Sequence, residues 1–172
     1  MRKILLTGEP GVGKSTLLSL VIDAFVQKQG FITTENRTDG IRTSFDMTAS
    51  SGQSFELCSV SSPSNIRVSR YGVNVEELNS FVEKLPDIEP DTLIYVDEIG
   101  QMQLYSELYK NLITNYLDLP NVLVGTLSKI YSDEFTDQLR ERDDIEIIEV
   151  TLENREELKN ELITRIGKLL HY

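Results

Sequence analysis

The sequence predicts an α/β fold in which a mainly parallel β-sheet is flanked by helices. Short apolar runs rich in Ile, Leu and Val alternate along the chain with segments whose apolar residues recur at helical spacing. One run, Leu93–Val96, is apolar without interruption, which is typical of a strand buried on both faces in a parallel sheet. No repeat or low-complexity linker breaks the series, so residues 1–172 are expected to form a single domain.

The N-terminal part of the chain predicts a strand, a glycine-rich turn and a helix. Lys3–Thr7 is the strand, because it is a short apolar run. Residues 15–29 follow as the helix, and Gly30 is expected to end it. The apolar face of this helix consists of Leu17, Leu18, Val21, Ile22 and Phe25.

The remaining elements continue the alternation of strands and helices. Further strands are expected at residues 31–34, 92–97, 121–126 and 145–150. Further helices are expected at residues 75–85, where Pro86 ends the helix, and at residues 106–117, 133–142 and 153–170. Residues 35–71 are expected to form loops and a β-excursion that includes Ile41–Met47 and Ser54–Val60.

Composition and charge exclude several classes of protein. The chain carries 17 basic and 28 acidic residues, a net charge of −11, so a broad nucleic-acid-binding surface is not expected. Apolar runs are too short to span a membrane. The single cysteine, Cys58, excludes an internal disulfide and a cysteine-rich zinc site, which favours a cytoplasmic location. The sequence indicates no particular protein partner, and an anionic ligand would need a locally positive site.

Residues 8–15, GEPGVGKS, match the phosphate-binding pattern G-x-x-x-x-G-K-[ST]. The pattern follows a predicted strand and opens a predicted helix, which is the context that its chemistry requires. Backbone N–H groups of such a loop surround phosphate oxygens at the positive end of the helix dipole. The residues expected to bind a nucleotide are Gly8, Glu9, Pro10, Gly11, Val12, Gly13, Lys14, Ser15 and Thr16.

Three side chains of this loop have more specific expected roles. Lys14 is expected to reach the β- and γ-phosphates and to act in catalysis. Ser15 is expected to bind Mg²⁺ through its hydroxyl, and Thr16 to meet the α-phosphate. The loop therefore predicts that the ligand is a nucleoside triphosphate and that the cofactor is Mg²⁺.

Two carboxylates, Asp97 and Glu98, end the apolar strand around residues 93–96. The carboxyl ends of parallel strands line the crevice in which open α/β sheets bind ligands. Asp97 is expected to bind the magnesium ion, and Glu98 to polarise the water that attacks the γ-phosphorus. Thr126 and Ser128, which end a neighbouring predicted strand, either sense the γ-phosphate or serve as ordinary strand-end caps.

Two further polar segments carry alternative interpretations. Arg37 and Arg42 either brace phosphate groups or form surface ion pairs with the abundant acidic residues. Asn154 and Arg155, at the start of the last helix, either contact the base or ribose or cap that helix.

The sequence resembles a known family, the small P-loop nucleoside-triphosphatases first described in thermophiles and called cancer-related nucleoside-triphosphatase in vertebrates. The resemblance covers nearly the whole chain, and the segments that carry it are GEPGVGKST at 8–16, TENRTDGIRTSF at 34–45, RYGVNV at 70–75, VDEIGQMQL at 96–104 and ENREEL at 153–158. It implies a RecA-like α/β fold and slow, Mg²⁺-dependent hydrolysis of nucleoside triphosphates with loose base preference. It also implies that Arg37, Arg42, Asn154 and Arg155 line the nucleotide site.

The chain departs from the family pattern just beyond the predicted catalytic strand. The family usually reads DEIGKMEL, whereas this chain has Gln101 and Gln103 in place of the lysine and the glutamate. Loss of that lysine removes a positive charge near the expected catalytic site, so a turnover below that of the relatives is expected.

Two other functions remain open at the level of sequence. A phosphotransferase would pass the γ-phosphate to a small acceptor, and a nucleotide-gated switch would use slow hydrolysis to time a partner interaction. The chain lacks the Asn-Lys-x-Asp tetrapeptide with which Ras-like GTPases read guanine. A water-activating glutamate would work against a nucleotide kinase, so Glu98 favours hydrolysis.

Overall fold

The computed structural model describes residues 1–171. Within that range the strands are β1 (Lys3–Thr7), β2 (Lys28–Thr38), β3 (Ile41–Ala49), β4 (Ser54–Ser59), β5 (Arg67–Val68), β6 (Tyr71–Val73), β7 (Leu93–Ile99), β8 (Leu123–Leu127) and β9 (Ile145–Glu149). The helices are α1 (Lys14–Ile22), α2 (Val75–Glu83), α3 (Glu107–Asp118), α4 (Glu134–Glu141) and α5 (Arg155–Leu169), with a 3-10 turn at Gln103–Tyr105.

All the described strands belong to one sheet in the order β5–β6–β4–β3–β2–β7–β8–β1–β9. The strands β2, β7, β8, β1 and β9 pair in parallel, and we call them the parallel half. From β2 onward, the strands β3, β4, β6 and β5 pair antiparallel, and we call them the antiparallel extension. The predicted α/β class, with a largely parallel sheet flanked by helices, is confirmed.

Both faces of the parallel half are buried. Ile4 and Leu6 of β1 pack in one core with the apolar faces of α1 and α5. Leu5, between them, packs in a second core on the opposite face, with residues of α2, α3 and α4. The strand β7 divides its side chains in the same way, since successive residues of a strand point to opposite faces. This two-sided burial explains the unbroken apolar run at 93–96.

The prediction of a helix over residues 15–29 is wrong in its second half. The helix α1 ends at Ile22, and Lys28 already begins β2. Gly30 is therefore a strand residue and not a helix stop. A Cβ at Gly30 would overlap the carbonyl oxygen of Tyr95 on β7, so glycine allows these parallel strands to approach. Phe25 is buried as expected, but it lies in the connection after the helix.

The other predicted elements agree with the structure to within a few residues, including the β-excursion expected at Ile41–Met47 and Ser54–Val60, which forms β3 and β4. The strand β2 continues to Thr38, where the sequence predicted a loop, and two short strands, β5 and β6, were not predicted. A two-residue turn at Asp39 and Gly40, both with positive φ, joins β2 to β3. Asp-Gly is a common pair in such hairpin turns. No helix in residues 1–171 combines the length and apolarity needed to cross a bilayer.

Candidate active site

The predicted phosphate loop lies between the end of β1 and the start of α1. Gly11 and Gly13 have φ values of 80° and 98°, a left-handed conformation that side chains with a Cβ resist. The Lys14 ammonium donates a hydrogen bond of 2.9 Å to the carbonyl oxygen of Gly8 across the loop. Glu9 and Ser15 are exposed on the loop, whereas Val12 packs into the core beside α1. The sequence therefore forms the strand, loop and helix that the motif requires.

The Asp97 carboxylate lies at the end of β7 and is almost completely buried, with 1% exposure. It accepts hydrogen bonds from the hydroxyl of Ser15, at 3.0 Å, and from the hydroxyl of Thr126, at 2.6 Å. The backbone N–H of Thr33, on β2, donates to its second oxygen at 3.3 Å. Burial raises the pKa of Asp97, and these three hydrogen bonds, together with the nearby Lys14 ammonium, oppose the rise. The carboxylate thus joins α1, β2, β7 and β8 at one point.

Glu98 follows Asp97 across a cis peptide bond and is partly buried. Burial, followed by the negative charge of Asp97, raises the pKa of the Glu98 carboxyl to about 7, while Lys14 opposes the rise. The hydroxyl of the fully buried Tyr109, on α3, donates a 2.6 Å hydrogen bond to the backbone carbonyl of Glu98. A Cβ at Gly100 would lie 2.8 Å from the Glu98 carboxylate, so glycine leaves room for that side chain.

Arg155 reaches the phosphate loop, whereas Asn154 is used within its own turn. The Arg155 guanidinium donates a 3.2 Å hydrogen bond to the carbonyl oxygen of Val12. Asn154 and Thr151 exchange side-chain-to-backbone hydrogen bonds, the pattern of a capping box, one turn before α5. The Asn154 amide also donates to the carbonyl oxygen of Glu149 at 2.8 Å. The structure thus brings one of this pair of residues to the loop.

Arg37 and Arg42 lie on the hairpin formed by β2 and β3, and neither contacts the phosphate loop. Both pair with Glu35, at 2.7 Å for Arg37 and 3.4 Å for Arg42. Arg37 also donates to the carbonyl oxygen of Gly40, and the Arg42 guanidinium stacks over the ring of Phe45. Surface ion pairing, one of the two interpretations from the sequence, describes these contacts, and nucleotide binding by the two arginines stays a prediction.

Lys129, just beyond the end of β8, bridges the phosphate loop to β9. Its ammonium lies 2.9 Å from the carboxylate of Glu9 and 2.7 Å from that of Glu149. The hydrogen bonds with Glu149 and Glu9 raise the pKa of Lys129 to about 12, so it is cationic at neutral pH. Ser128, beside it, accepts a hydrogen bond from the backbone N–H of Tyr131, which is a local capping contact.

The family model described as NTPase matches residues 3–163. The chain belongs to this NTPase family. It is 35% identical to the nucleoside-triphosphatase THEP1 of Thermotoga sp. (strain RQ2), with 94% of each chain covered. It is 32% identical to the human cancer-related nucleoside-triphosphatase, with 95% of each covered. The crystal structure of THEP1 from Aquifex aeolicus superposes with a TM-score of 0.82 at 30% identity, covering 95% of this chain and 98% of that one. The resemblance stated from the sequence motifs is confirmed.

Two glutamines lie just beyond β7, where the resemblance stated from the motifs implies a lysine and a glutamate. Gln101 is a partly exposed turn residue. Gln103 is 2% exposed and begins the 3-10 turn. A neutral amide is easier to bury than a carboxylate, so glutamine suits the surroundings of residue 103.

Sequence reasoning missed three residues that surround the candidate site. Thr33 was not identified because the pairing of β2 with β7 is a tertiary contact. Tyr109 has the ordinary appearance of a core residue on an amphipathic helix, and no local signal marks its hydrogen bond to Glu98. Lys129 did have a signal, since it follows the end of a predicted parallel strand, the position that drew attention to Asp97.

Proposed function

We propose that this protein hydrolyses nucleoside triphosphates to nucleoside diphosphate and phosphate, slowly, with broad base specificity and with Mg²⁺ as its cofactor. The observation that carries the proposal is the hydrogen bond between Ser15 of the phosphate loop and the buried Asp97, with Glu98 next in the chain. This arrangement joins the proposed phosphate site, the proposed metal site and the proposed general base. The Thermotoga and human relatives, a nucleoside-triphosphatase THEP1 and a cancer-related nucleoside-triphosphatase, are consistent with it.

The donor set near the loop fits Mg²⁺. Residues 1–171 contain no group of three or more His, Cys, Asp or Glu side chains suited to a metal. Mg²⁺ in phosphate-transfer sites needs fewer protein ligands, because substrate phosphates and water complete its shell. Ser15 and Asp97 supply hard oxygen ligands within 3.0 Å of each other, and they are the residues that would hold the ion. When bound, Mg²⁺ would neutralise charge on the β- and γ-phosphates.

The residues of the loop bind and orient the substrate in this proposal. Backbone N–H groups from Gly11 to Thr16 surround the phosphates, and Lys14 exchanges the carbonyl of Gly8 for phosphate oxygens. Arg155 braces the loop through the carbonyl of Val12 and adds a positive charge beside it. The Asn154 side-chain amide forms its hydrogen bonds within its own turn. A nucleotide site selects one base mainly through hydrogen bonds to the edge of that base. The engagement of Asn154 therefore supports a loose base preference.

Glu98 orients the attacking water and accepts its proton. A carboxyl whose pKa lies near 7 is well matched to proton transfer at neutral pH. Tyr109 holds the backbone of Glu98, and Gly100 leaves space beside its side chain. One feature supports slow turnover: Gln101 is neutral where the resemblance to the family implies a lysine.

The substrate is the only partner included in this proposal. The net charge of −11 disfavours nucleic acid as a ligand, because a phosphate backbone would be repelled. Burial raises the pKa of the Cys58 thiol to about 12, which makes it a poor nucleophile. A single free cysteine suits a reducing compartment such as the cytoplasm.

The test is release of phosphate from ATP, GTP, CTP and UTP, each with Mg²⁺, by the wild-type protein and by Glu98→Gln. We expect release from several nucleotides and a fall in kcat of roughly 10²- to 10⁴-fold in the variant, because general-base catalysis is lost. Glu83→Gln, an exposed change on α2, is the matched control and is expected to keep wild-type kcat.

Two results would contradict the proposal. Full activity of Glu98→Gln would exclude Glu98 as the residue that positions water. Absence of phosphate release by folded wild-type protein that still binds nucleotide would refute hydrolysis, and acceptor-dependent formation of diphosphate would then indicate a phosphotransferase.

A further inference from the structure

Lys129 is tied to the phosphate loop by a side-chain ion pair. Among residues 1–171, the basic side chains that hydrogen-bond or ion-pair with residues 8–16 are those of Lys14, Arg155 and Lys129. Lys14 and Arg155 donate to backbone carbonyls of the loop. Lys129 instead pairs with the carboxylate of Glu9, the second residue of the motif. A carboxylate and a phosphate both attract an ammonium through charge-assisted hydrogen bonds. The Glu9 carboxylate therefore interacts with the Lys129 ammonium as a phosphate group would.

Lys129 follows the strand that lies between the acidic pair of β7 and the predicted phosphate loop. The strand β8 lies between β7, which carries Asp97 and Glu98, and β1, which leads into the phosphate loop. Lys129 follows the carboxyl end of β8, the edge at which open α/β sheets bind ligands. Its side chain reaches past the end of β1 to Glu149, at the end of β9.

Lys129 can leave its two ion pairs for another anion at little cost in free energy. The side chains are 39% exposed for Lys129, 67% for Glu9 and 53% for Glu149, and solvent weakens ion pairs between such groups. Lysine carries its charge on a flexible four-carbon stem, so the ammonium can move while the backbone stays fixed. A terminal phosphate bears more negative charge than one carboxylate and competes effectively for the ammonium.

We propose that Lys129 binds the γ-phosphate of the substrate, and that Glu9 holds it aside until a triphosphate enters the loop. This inference rests on the proposed function, because it requires a nucleoside triphosphate in the phosphate loop. It assigns Lys129 to recognition of the third phosphate, the group that distinguishes substrate from product. It also assigns Glu9 the role of a competitor, so removal of its charge favours the bound state.

The experiment compares dissociation constants for a non-hydrolysable triphosphate analogue and for the matching diphosphate, both with Mg²⁺. The proteins are wild type, Lys129→Met, Lys129→Arg, Glu9→Gln and the double variant. Lys159→Met is the matched control, because Lys159 forms a similar exposed pair with Glu156 at 2.7 Å on α5. Circular dichroism checks that each variant is folded.

We expect Lys129→Met to weaken triphosphate binding about tenfold, which corresponds to about 1.4 kcal/mol, and diphosphate binding less than about twofold. Lys129→Arg keeps most of the triphosphate affinity, since its charge is retained. Glu9→Gln strengthens triphosphate binding in the presence of Lys129, and the gain is smaller in the Lys129→Met background because there is no ammonium to release.

Three results would overturn the inference. Equal weakening of triphosphate and diphosphate binding by Lys129→Met would mean that Lys129 only stabilises the shape of the loop. An equal gain from Glu9→Gln in both backgrounds would mean that Glu9 repels phosphate directly and does not compete for Lys129. Failure of the wild-type protein to bind either nucleotide would refute the proposed function, and this inference with it, which distinguishes that failure from the other two.

Discussion

The buried site at the end of β7 and the exposed hairpin formed by β2 and β3 hold their polar residues in opposite ways. In the parallel half, Asp97 is 1% exposed and accepts hydrogen bonds from three separate elements. In the hairpin that leads into the extension, Arg37 and Arg42 share one acceptor, Glu35, and all three side chains are between 39% and 52% exposed. The site at Asp97 buries one carboxylate that has several hydrogen-bond partners. The hairpin instead pairs charged side chains that remain in contact with water.

The difference predicts where geometry is rigid and where it can change. A buried carboxylate that loses a partner incurs a desolvation cost, so the contacts around Asp97 hold one another in place. Exposed ion pairs are exchanged with water at little cost, so the hairpin arginines are free to take other partners. We therefore expect substitutions in the parallel half to affect binding or stability strongly, and matched substitutions in the hairpin to have small effects.

The largest expected effect is that of Lys14→Ala on nucleotide binding. The substitution removes the ammonium that is proposed to contact two phosphates, and we expect a loss of about 3–5 kcal/mol of binding free energy. Isothermal titration with a triphosphate analogue and Mg²⁺ measures it. Wild-type affinity in a folded Lys14→Ala protein would exclude the loop as the phosphate site.

Alanine substitutions at two glycines compare how strongly each region constrains the free energy of unfolding. Gly30→Ala would place a Cβ against the carbonyl oxygen of Tyr95, and we expect it to lower the free energy of unfolding by about 3 kcal/mol or more. Gly40→Ala meets no atom within 4 Å, so only its φ of 79° is unfavourable, and the expected cost is about 1–2 kcal/mol. Urea denaturation of both variants gives the comparison. Similar losses of unfolding free energy in the two variants would show that the close contact between β2 and β7 does not restrict the side chain at residue 30.

Removal of the Thr126 hydroxyl tests how much the hydrogen bonds to the buried Asp97 carboxylate contribute to stability. Thr126→Val removes the 2.6 Å hydrogen bond to Asp97, and we expect about 1–3 kcal/mol lower stability because a buried acceptor loses its donor. Thr38→Val, on the exposed hairpin, removes only a 3.4 Å contact with Thr43 and is expected to change stability by less than about 0.5 kcal/mol. Thermal denaturation measures both. Equal stability of the two variants would contradict the importance assigned to burial around Asp97.

The smallest expected effect is that of Arg37→Ala on stability. Its pair with Glu35 is exposed, so we expect a change of no more than about 1 kcal/mol in the free energy of unfolding. Measurement of kcat for the same variant sharpens the comparison. A fall of 100-fold or more with unchanged stability would mean that the hairpin closes over the nucleotide, and that the two regions act together in catalysis.

Local sequence signals predicted most of the parallel half. The unbroken apolar run before Asp97 predicted a strand buried on both faces, and the structure confirms it. The loop between β1 and α1 was predicted from the glycine and lysine spacing, together with the predicted strand before it and the predicted helix after it. The error at residues 23–30 has a clear cause: the apolar spacing that includes Phe25 continues past the end of α1, and nothing local shows that Lys28 pairs beside β7.

The hairpin formed by β2 and β3 and the rest of the antiparallel extension were predicted less well. The strands β5 and β6 have two and three residues, too few for a periodic pattern to be recognised. Arg37 and Arg42 could be named as candidates but not assigned a role, because their shared pairing with Glu35 depends on the register of β2 against β3. A one-residue change in register reverses the face on which a side chain lies, and the arginine spacing alone does not determine that register.

The sequence by itself determined the α/β class, the glycine-rich loop between β1 and α1 and the acidic pair at the end of β7, because each depends on residues that are close in the chain. Tertiary structure decided which distant groups meet them: Thr33 and Thr126 at Asp97, Tyr109 at Glu98, and Lys129 at Glu9. The physical reason is that strand order and register bring these residues together, and both are set by burial of the whole sheet between its helices and not by any local pattern.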